Sequence, residues 1–218
     1  MRVIVYALVL VALSVAAFLS TEIGTRSAIF LYDEVRPFVT RYATPFCISR
    51  LQAKNVNFTQ IGDQHTGQCR VLNAVRVRSV EGTRLSKPVI MTCGLALSLS
   101  EWIADINQIS QEQFGQKIDT LHHSGTYNCR RQRSSSVLSE HAYGNAIDIN
   151  GFTIKERRLS VGKDWRNSYG KPFLRKSFNS ACWEFGLVLG PGSDGRHEGH
   201  FHLDNGSYFG LSKWRCVL

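Results

Sequence analysis

The alternation of apolar and polar residues along the chain predicts two core-packed helices and several strands. Residues 92–115 repeat apolar side chains at helical spacing, which predicts an amphipathic helix that stops at Gly115. Residues 69–80 alternate as a strand does, and Gly82 turns the chain after them. A second amphipathic helix is predicted over residues 171–186, with Gly186 as its cap.

Further strands are predicted later in the chain. Residues 116–129 indicate a strand that ends in a turn, and residues 144–154 and 157–162 indicate two paired strands joined by a charged turn. The last strand is expected to carry a group of histidines. Because helices and strands are mixed without a regular βαβα order, the pattern predicts an α+β domain with a small antiparallel sheet.

The N-terminus has the pattern of a segment that directs export. Arg2 precedes an uncharged apolar run from Val3 to Leu19, which indicates either a signal peptide or a short membrane anchor over residues 1–22. Residues 23–45 are interpreted as a tether, and residues 46–218 as the folded domain. We therefore expect an exported, periplasmic protein, held at the inner membrane by its N-terminal segment.

The charge of the chain favours anionic partners. The formal net charge is +9 over 218 residues, with 43% hydrophobic and 20% charged residues, as in an ordinary globular protein. Such a surface suits an acidic wall polymer or phospholipid headgroups. The basic residues are scattered and form no recognisable nucleic-acid module, so we expect no nucleic-acid partner.

The six cysteines are dispersed and include no CxxC pair. Zinc–thiolate sites usually show close pairs, so structural disulfides are the better interpretation for an exported chain. Six cysteines allow fifteen connectivities. Cys47–Cys69 is the first hypothesis because the two flank one short segment, and Cys129–Cys182 is a second.

Three of the seven histidines lie close together in HEGHFHLDN, residues 197–205. If this stretch is extended, His200 and His202 point to one face while Phe201 points into the opposite layer. The spacing alone is compatible with a surface pair, a buried hydrogen-bonded pair or part of a metal site.

A second stretch, SEHAYGNAIDIN at residues 139–150, adds two potential ligands. Asp148 stands in an apolar strand, where a carboxylate is costly to bury unless it is paired or binds a cation. His141 precedes it by seven positions, and the small residues between them allow a tight turn. Two histidines and one carboxylate make a hydrolytic zinc site with an open position. The alternative is a buried Asp148–His141 pair with the other histidines unrelated.

These residues resemble two known groups. The pattern S-x-H-x-x-G-x-A-x-D followed by HFH is similar to that of LAS-type zinc metallopeptidases, which act on D-alanyl and related peptidoglycan peptide bonds. Over roughly residues 47 to 218 the chain resembles the extensin-like C-terminal domain family of bacterial envelope proteins. The stretches that carry the second resemblance are YNCR, SEHAYGNAIDINGF, ACWEFGLVLGPGSDGRHEGHFHLD and the cysteine positions.

The resemblance implies a LAS-type peptidase-like fold, a bound Zn²⁺ and specific roles for individual residues. The metal ligands would be His141, Asp148 and His202. His200 would face a metal-activated water that attacks an amide bond, and would serve as the catalytic base. The implied substrate is the peptide part of peptidoglycan.

The chain departs from the wider group in one respect. Many members place a glutamate three residues before the last histidine ligand, but that position here is Gly199, and Glu198 falls one residue further away. If His200 were the ligand instead, His197 would occupy the base position. The base therefore stays open among His200, Glu198 and His197, and the last two are equally compatible with a solvated loop.

Two residues near the motif are candidates for substrate binding. Ser139 precedes His141 by two positions and would either contact substrate, orient His141 or cap the loop. Arg130 is expected at the rim, where it could bind a substrate carboxylate; an ordinary surface arginine is the alternative.

The predicted function is that of a zinc-dependent carboxypeptidase or endopeptidase of the cell envelope. Two alternatives remain from other classes of protein. One is a wall-binding domain that holds a metal without turnover. The other is a structural envelope protein in which Asp148 and the histidines form a metal-free polar network.

Overall fold

The structure, a computed structural model, describes residues 45–133, 136–206 and 215–218, and five single positions: Val11, Ser14, Val15, Ala17 and Thr21. Contacts divide the chain into two units, Met1–Val39 and Thr40–Leu218. The predicted N-terminal signal or anchor and the tether lie almost wholly outside the described residues. Within the described part, no helix combines the length and the apolar character needed to cross a membrane.

The second unit contains helices and a mixed β-sheet, which confirms the predicted α+β class. Its helices are α1 (45–52), α2 (Cys93–Phe114), the single turn α3 (Val161–Asp164) and α4 (Lys171–Glu184). The strands are β1 (Val56–Thr66), β2 (Cys69–Val80), β3 (Thr83–Met91), β4 (Thr120–Gly125), β5 (Ala146–Ile154), β6 (Arg157–Ser160), β7 (Leu187–Leu189), β8 (Phe201–Asp204) and β9 (Arg215–Val217).

The sheet is larger than predicted. Among the described residues nine strands join in the order β1-β2-β3-β4-β5-β8-β7-β9, with β6 paired to β5 beside β8. Most neighbours are antiparallel, but β3 pairs with β4 and β7 with β9 in parallel. The histidine-bearing β8 is an interior strand of the sheet, not the last strand in the chain as predicted.

The predicted helix over residues 92–115 is confirmed as α2. Thr92 caps its start by accepting a hydrogen bond from the backbone N–H of Leu95, and Gly115 ends it in the left-handed conformation at φ 69°. Its apolar stripe is buried, and Trp102 Nε1 donates to the Ser177 carbonyl of α4. The indole also contacts Phe152 of β5. Helices α2 and α4 therefore share one core with the inner face of the sheet.

The second predicted helix ends earlier than expected. The last residue of α4 is Glu184, and its C-terminal cap is Phe185 in extended conformation rather than Gly186. Gly186 instead donates its backbone N–H to the Asp204 carbonyl, and an added Cβ there would lie 2.6 Å from the Gly206 carbonyl oxygen. The glycine is needed for a close backbone approach.

Three disulfides pair all six cysteines, as Cys47–Cys93, Cys69–Cys129 and Cys182–Cys216. Structural disulfides were predicted, but both hypotheses about their connectivity, Cys47–Cys69 and Cys129–Cys182, are wrong. Each bond joins residues that the packing of the sheet and helices brings together. Short separation in sequence therefore does not identify the pairs. The second bond ties β2 to the loop that follows β4.

Candidate metal centre

Three side chains meet at the outer face of the sheet, two of them from residues 141–148 and one from the distant β8. His202 Nδ1 lies 3.0 Å from Asp148 Oδ1, and His141 Nε2 lies 3.3 Å from each of those two atoms. Among the described residues these three form the group of potential metal ligands whose atoms all lie close together. The structure thus brings together the three residues that the motif predicted as ligands.

Strand pairing places two of the three residues. Asp148 of β5 and His202 of β8 are direct partners in the antiparallel register. Their neighbours Ile149 and Phe201, also partners, are fully buried on the opposite face. Successive side chains of a strand point to opposite faces of the sheet. Burial of the Ile149–Phe201 pair on one face therefore places the Asp148–His202 pair on the other.

His141 is placed by a short 3₁₀ helix, Glu140–Tyr143, that leads into β5. Ser139 caps this helix, since its hydroxyl accepts a hydrogen bond from the backbone N–H of His141. Gly144 ends it in the left-handed conformation at φ 61°, and a Cβ there would lie 2.8 Å from the side chain of Val71. A larger residue at 144 would therefore displace the turn that presents His141.

Hydrogen bonds on the far side of each ring fix its tautomer. His141 Nδ1 lies 2.7 Å from the Thr126 carbonyl, and His202 Nε2 lies 3.0 Å from Asp204 Oδ2. A carbonyl and a carboxylate only accept, so both of these nitrogens carry the proton. In neutral rings the remaining nitrogens, His141 Nε2 and His202 Nδ1, are left with lone pairs directed at Asp148 Oδ1.

This geometry fits a tetrahedral zinc ion. Three lone pairs within 3.0–3.3 Å of one another repel unless a proton or a cation lies among them. Ligand atoms about 2 Å from zinc at tetrahedral angles stand about 3.3 Å apart, close to the three observed separations. Asp204 also matches the carboxylate that orients a metal-binding histidine in many zinc sites.

The charges of the cluster are set by mutual contact. Burial lowers the pKa of His202, but hydrogen bonds with Asp148 and Asp204 outweigh it and raise the pKa to about 9. Burial would raise the pKa of Asp148, but its hydrogen bonds with His141 and His202 hold that pKa well below the usual range. Without a metal, His202 is therefore an imidazolium between two carboxylates at neutral pH.

This pairing predicts a loss of stability of the metal-free protein at alkaline pH. The raised pKa of His202 stabilises the fold fully below pH 6.5, and this contribution is lost as pH rises through about 9. We expect EDTA-treated protein to lose up to about 3 kcal/mol of unfolding free energy between those values, measured by urea titration. Zinc-loaded protein should lack this loss, because the metal replaces the proton.

Asp204→Asn is the matched control for that measurement. It removes one of the two carboxylates beside His202 and should shift the loss to lower pH. Equal stability of metal-free wild type at pH 6.5 and 9.5 would contradict the assigned protonation.

Two further histidines border the cluster. His200 Nε2 lies 3.6 Å from Asp148 Oδ1, so His200 and His202 face the same side as predicted. The ring of His197 lies 5.1 Å from that of His200 and 5.7 Å from that of His202, centre to centre. Burial lowers the pKa of His200 and outweighs the opposing effect of Asp148. The ring of His200 is therefore neutral and lies beside the three candidate ligands.

The other two candidates for the base have partners in the 190–199 loop. Glu198 accepts hydrogen bonds at both oxygens, from Gly192 N–H and from the Arg166 guanidinium, each at 3.0 Å. His197 Nδ1 lies 2.7 Å from Asp194 Oδ1. Glu198 thus stabilises the loop through its contacts with Gly192 and Arg166. His197 is oriented by Asp194, with its ring towards the cluster.

The two candidates for substrate binding lie on the segment before the 3₁₀ helix. Arg130 is exposed, and its guanidinium donates to the neighbouring Arg131 carbonyl, while its own carbonyl accepts from Ser139 N–H. Ser139 is buried and engaged by His141. The structure gives Ser139 a capping and orienting contact, and leaves Arg130 on the surface.

Sequence reasoning missed three residues that complete the site. Asp204, Asp194 and the Thr126 carbonyl fix the rings of His202, His197 and His141. Only Asp204 carries a readable signal, because the two-residue period of HFHLD places it on the face of His202. The other two contacts depend on loops whose path the sequence does not reveal.

Comparison with known proteins identifies one relationship. The family model described as "Extensin-like protein C-terminus" matches residues 45–216. No curated protein and no solved structure matches the chain. The match supports the resemblance noted for the same region, whereas the link to LAS-type zinc peptidases rests on the motif alone.

Proposed function

This chain belongs to the extensin-like C-terminal family, and on that premise we propose that it is a zinc-dependent hydrolase of amide bonds in peptidoglycan peptides. The observation that carries the proposal is the convergence of three lone pairs, from His141, Asp148 and His202, at tetrahedral spacing. The likeness of the S-x-H-x-x-G-x-A-x-D motif to that of LAS-type peptidases supports the reaction class.

In this proposal His141 Nε2, Asp148 Oδ1 and His202 Nδ1 hold Zn²⁺. When bound, zinc supplies a Lewis acid that polarises a carbonyl and lowers the pKa of water towards neutrality. His200 borders the three proposed ligands with a neutral ring, and would accept a proton from the nucleophilic water and return it to the leaving amine. Thr126 and Asp204 keep the two ligand rings in their binding tautomers.

The charge of the chain and its apolar N-terminal run support the proposed partner and location. A formal charge of +9 suits a substrate rich in carboxylates or an anionic wall polymer. The apolar N-terminal run would direct export and tether the domain at the inner membrane, on the periplasmic side. The three disulfides agree with an oxidising compartment.

The test is metal content combined with product release. Wild-type protein dialysed against buffer should retain one zinc per chain and release peptides or amino acids from purified sacculi. EDTA should abolish the release, and zinc should restore it. Absence of bound zinc would contradict the proposal and favour a metal-free polar network.

A second candidate function is that of a metal-containing wall-binding domain without turnover. The engagement of both Glu198 oxygens favours it, because Gly192 of the loop and Arg166 outside it already occupy this carboxylate. Zinc at one per chain with binding to sacculi, but with no product, would identify this function.

A further inference from the structure

Beside the candidate metal centre, a row of polar side chains lies along the outer face of the sheet. Asn150 Nδ2 donates to Ser124 Oγ at 3.2 Å, and Arg158 Nη2 lies 3.5 Å from Asn150 Oδ1. Asn150 follows Asp148 by two residues on β5, so both side chains lie on one face, about 7 Å apart along the strand. The row formed by Ser124, Asn150 and Arg158 therefore begins two residues along β5 from Asp148, one of the three proposed ligands.

The side chain of Arg158 runs towards the metal centre. Its backbone is paired with Thr153 of β5, whereas its guanidinium reaches Asn150, three residues closer to Asp148. The guanidinium also lies near His122, whose pKa is lowered by burial and by this positive charge. Contact with Asn150 holds the arginine in this direction.

Arg158 has unused binding capacity. It is exposed, and no carboxylate among the described residues forms an ion pair with it. A guanidinium carries five N–H donors, of which Asn150 engages one. Ser124 is exposed, and its Oγ accepts from Asn150, so its hydroxyl can still donate a hydrogen bond.

We propose that Arg158 and Ser124 form a subsite that binds a carboxylate of the substrate, one or two residues beyond the bond attacked at the metal centre. The proposal rests on the function proposed above and specifies its substrate as a peptide with a free carboxylate next to that bond. An extended peptide advances about 3.5 Å per residue, so one or two residues span the distance of about 7 Å along β5 from Asp148 to Asn150, the residue that the Arg158 guanidinium contacts. The geometry favours Arg158 over Arg130, which donates to its own loop.

The test compares binding of two probes. The full chain is loaded with zinc in the His200→Gln background, so that turnover does not consume the probe. An acetylated tripeptide ending in D-alanyl-D-alanine, and its C-terminal amide, are titrated by calorimetry. We expect the acid to bind about 10- to 100-fold more tightly than the amide, and Arg158→Gln to remove this preference while leaving amide binding unchanged.

Arg157→Gln is the matched control. Arg157 is the adjacent residue with the same charge, but its guanidinium stacks 3.6 Å from the Tyr169 ring, so the preference for the acid should persist in this variant. Equal binding of acid and amide by the parent protein, no binding of either, or a preference that survives Arg158→Gln would overturn the subsite.

The outcome for the subsite is separable from that for hydrolysis. Acid-selective binding that depends on Arg158, with no product released from sacculi by wild type, would retain the subsite and reject the hydrolase. Product release with no preference for the acid would retain the hydrolase and reject the subsite.

Discussion

Replacing Asp148 with alanine is expected to abolish zinc binding. Asp148 Oδ1 is the atom that both candidate ligand histidines approach, at 3.0 Å from His202 and 3.3 Å from His141. Without it two imidazoles remain, one of which still donates to Asp204. Loss of an orienting residue outside the ligand set typically weakens metal binding about 10- to 100-fold, and loss of a ligand should exceed that. The measurement is zinc per chain after dialysis, with a competing chelator to obtain the affinity.

Glu198→Gln is the matched control for Asp148→Ala. It removes a nearby carboxylate whose contacts are with Arg166 and Gly192, so zinc should stay at one per chain. Circular dichroism distinguishes metal loss from unfolding. Full zinc occupancy in folded Asp148→Ala would refute the assignment of the ligands.

Replacing His200 with glutamine is expected to stop product release while zinc is retained. His200 Nε2 lies 3.6 Å from Asp148 Oδ1, but His200 is outside the group of three potential ligands. Removal of a general base typically costs about 100- to 10,000-fold in rate. The measurement is the rate of peptide release from sacculi, normalised to bound zinc.

His197→Gln and Glu198→Gln complete this comparison, because the sequence left the base open among the three residues. We expect Glu198→Gln to lower the rate little, since its carboxylate fastens the loop. A larger loss in His197→Gln than in His200→Gln would transfer the role of base to His197, which Asp194 orients.

The sequence predicts the regular elements of this fold better than their arrangement. Helix α2 is visible because its buried positions recur at helical spacing, and strand β2 because buried and exposed residues alternate over 69–71 and 75–78. Strand β1 has no such period, since Gly62 and register shifts interrupt its pairing with β2. Strand β3 contains Pro88 and three consecutive exposed residues, so its alternation also fails. Both strands were therefore missed, and the sheet was predicted too small.

The three candidate ligands could be predicted for a different reason. His141 and Asp148 belong to one continuous segment, in which a capped turn and a strand fix their separation locally. His202 depends on the β5–β8 register, which pattern alone does not specify, and here the resemblance to LAS-type peptidases supplied the residue. Neither local geometry nor the resemblance specified the disulfide pairs, because each bond joins elements that are far apart in sequence.

Strand β8 is only four residues long, yet it carries Phe201 and Leu203 into the core and His202 and Asp204 to the outer face. A slip of one position against β5 would expose the phenyl ring and bury an imidazole. The same register thus sets both the hydrophobic interior and the candidate ion-binding groups. Under the proposed function, the zinc content of a purified batch would then measure the fraction of molecules that have folded in the native alignment.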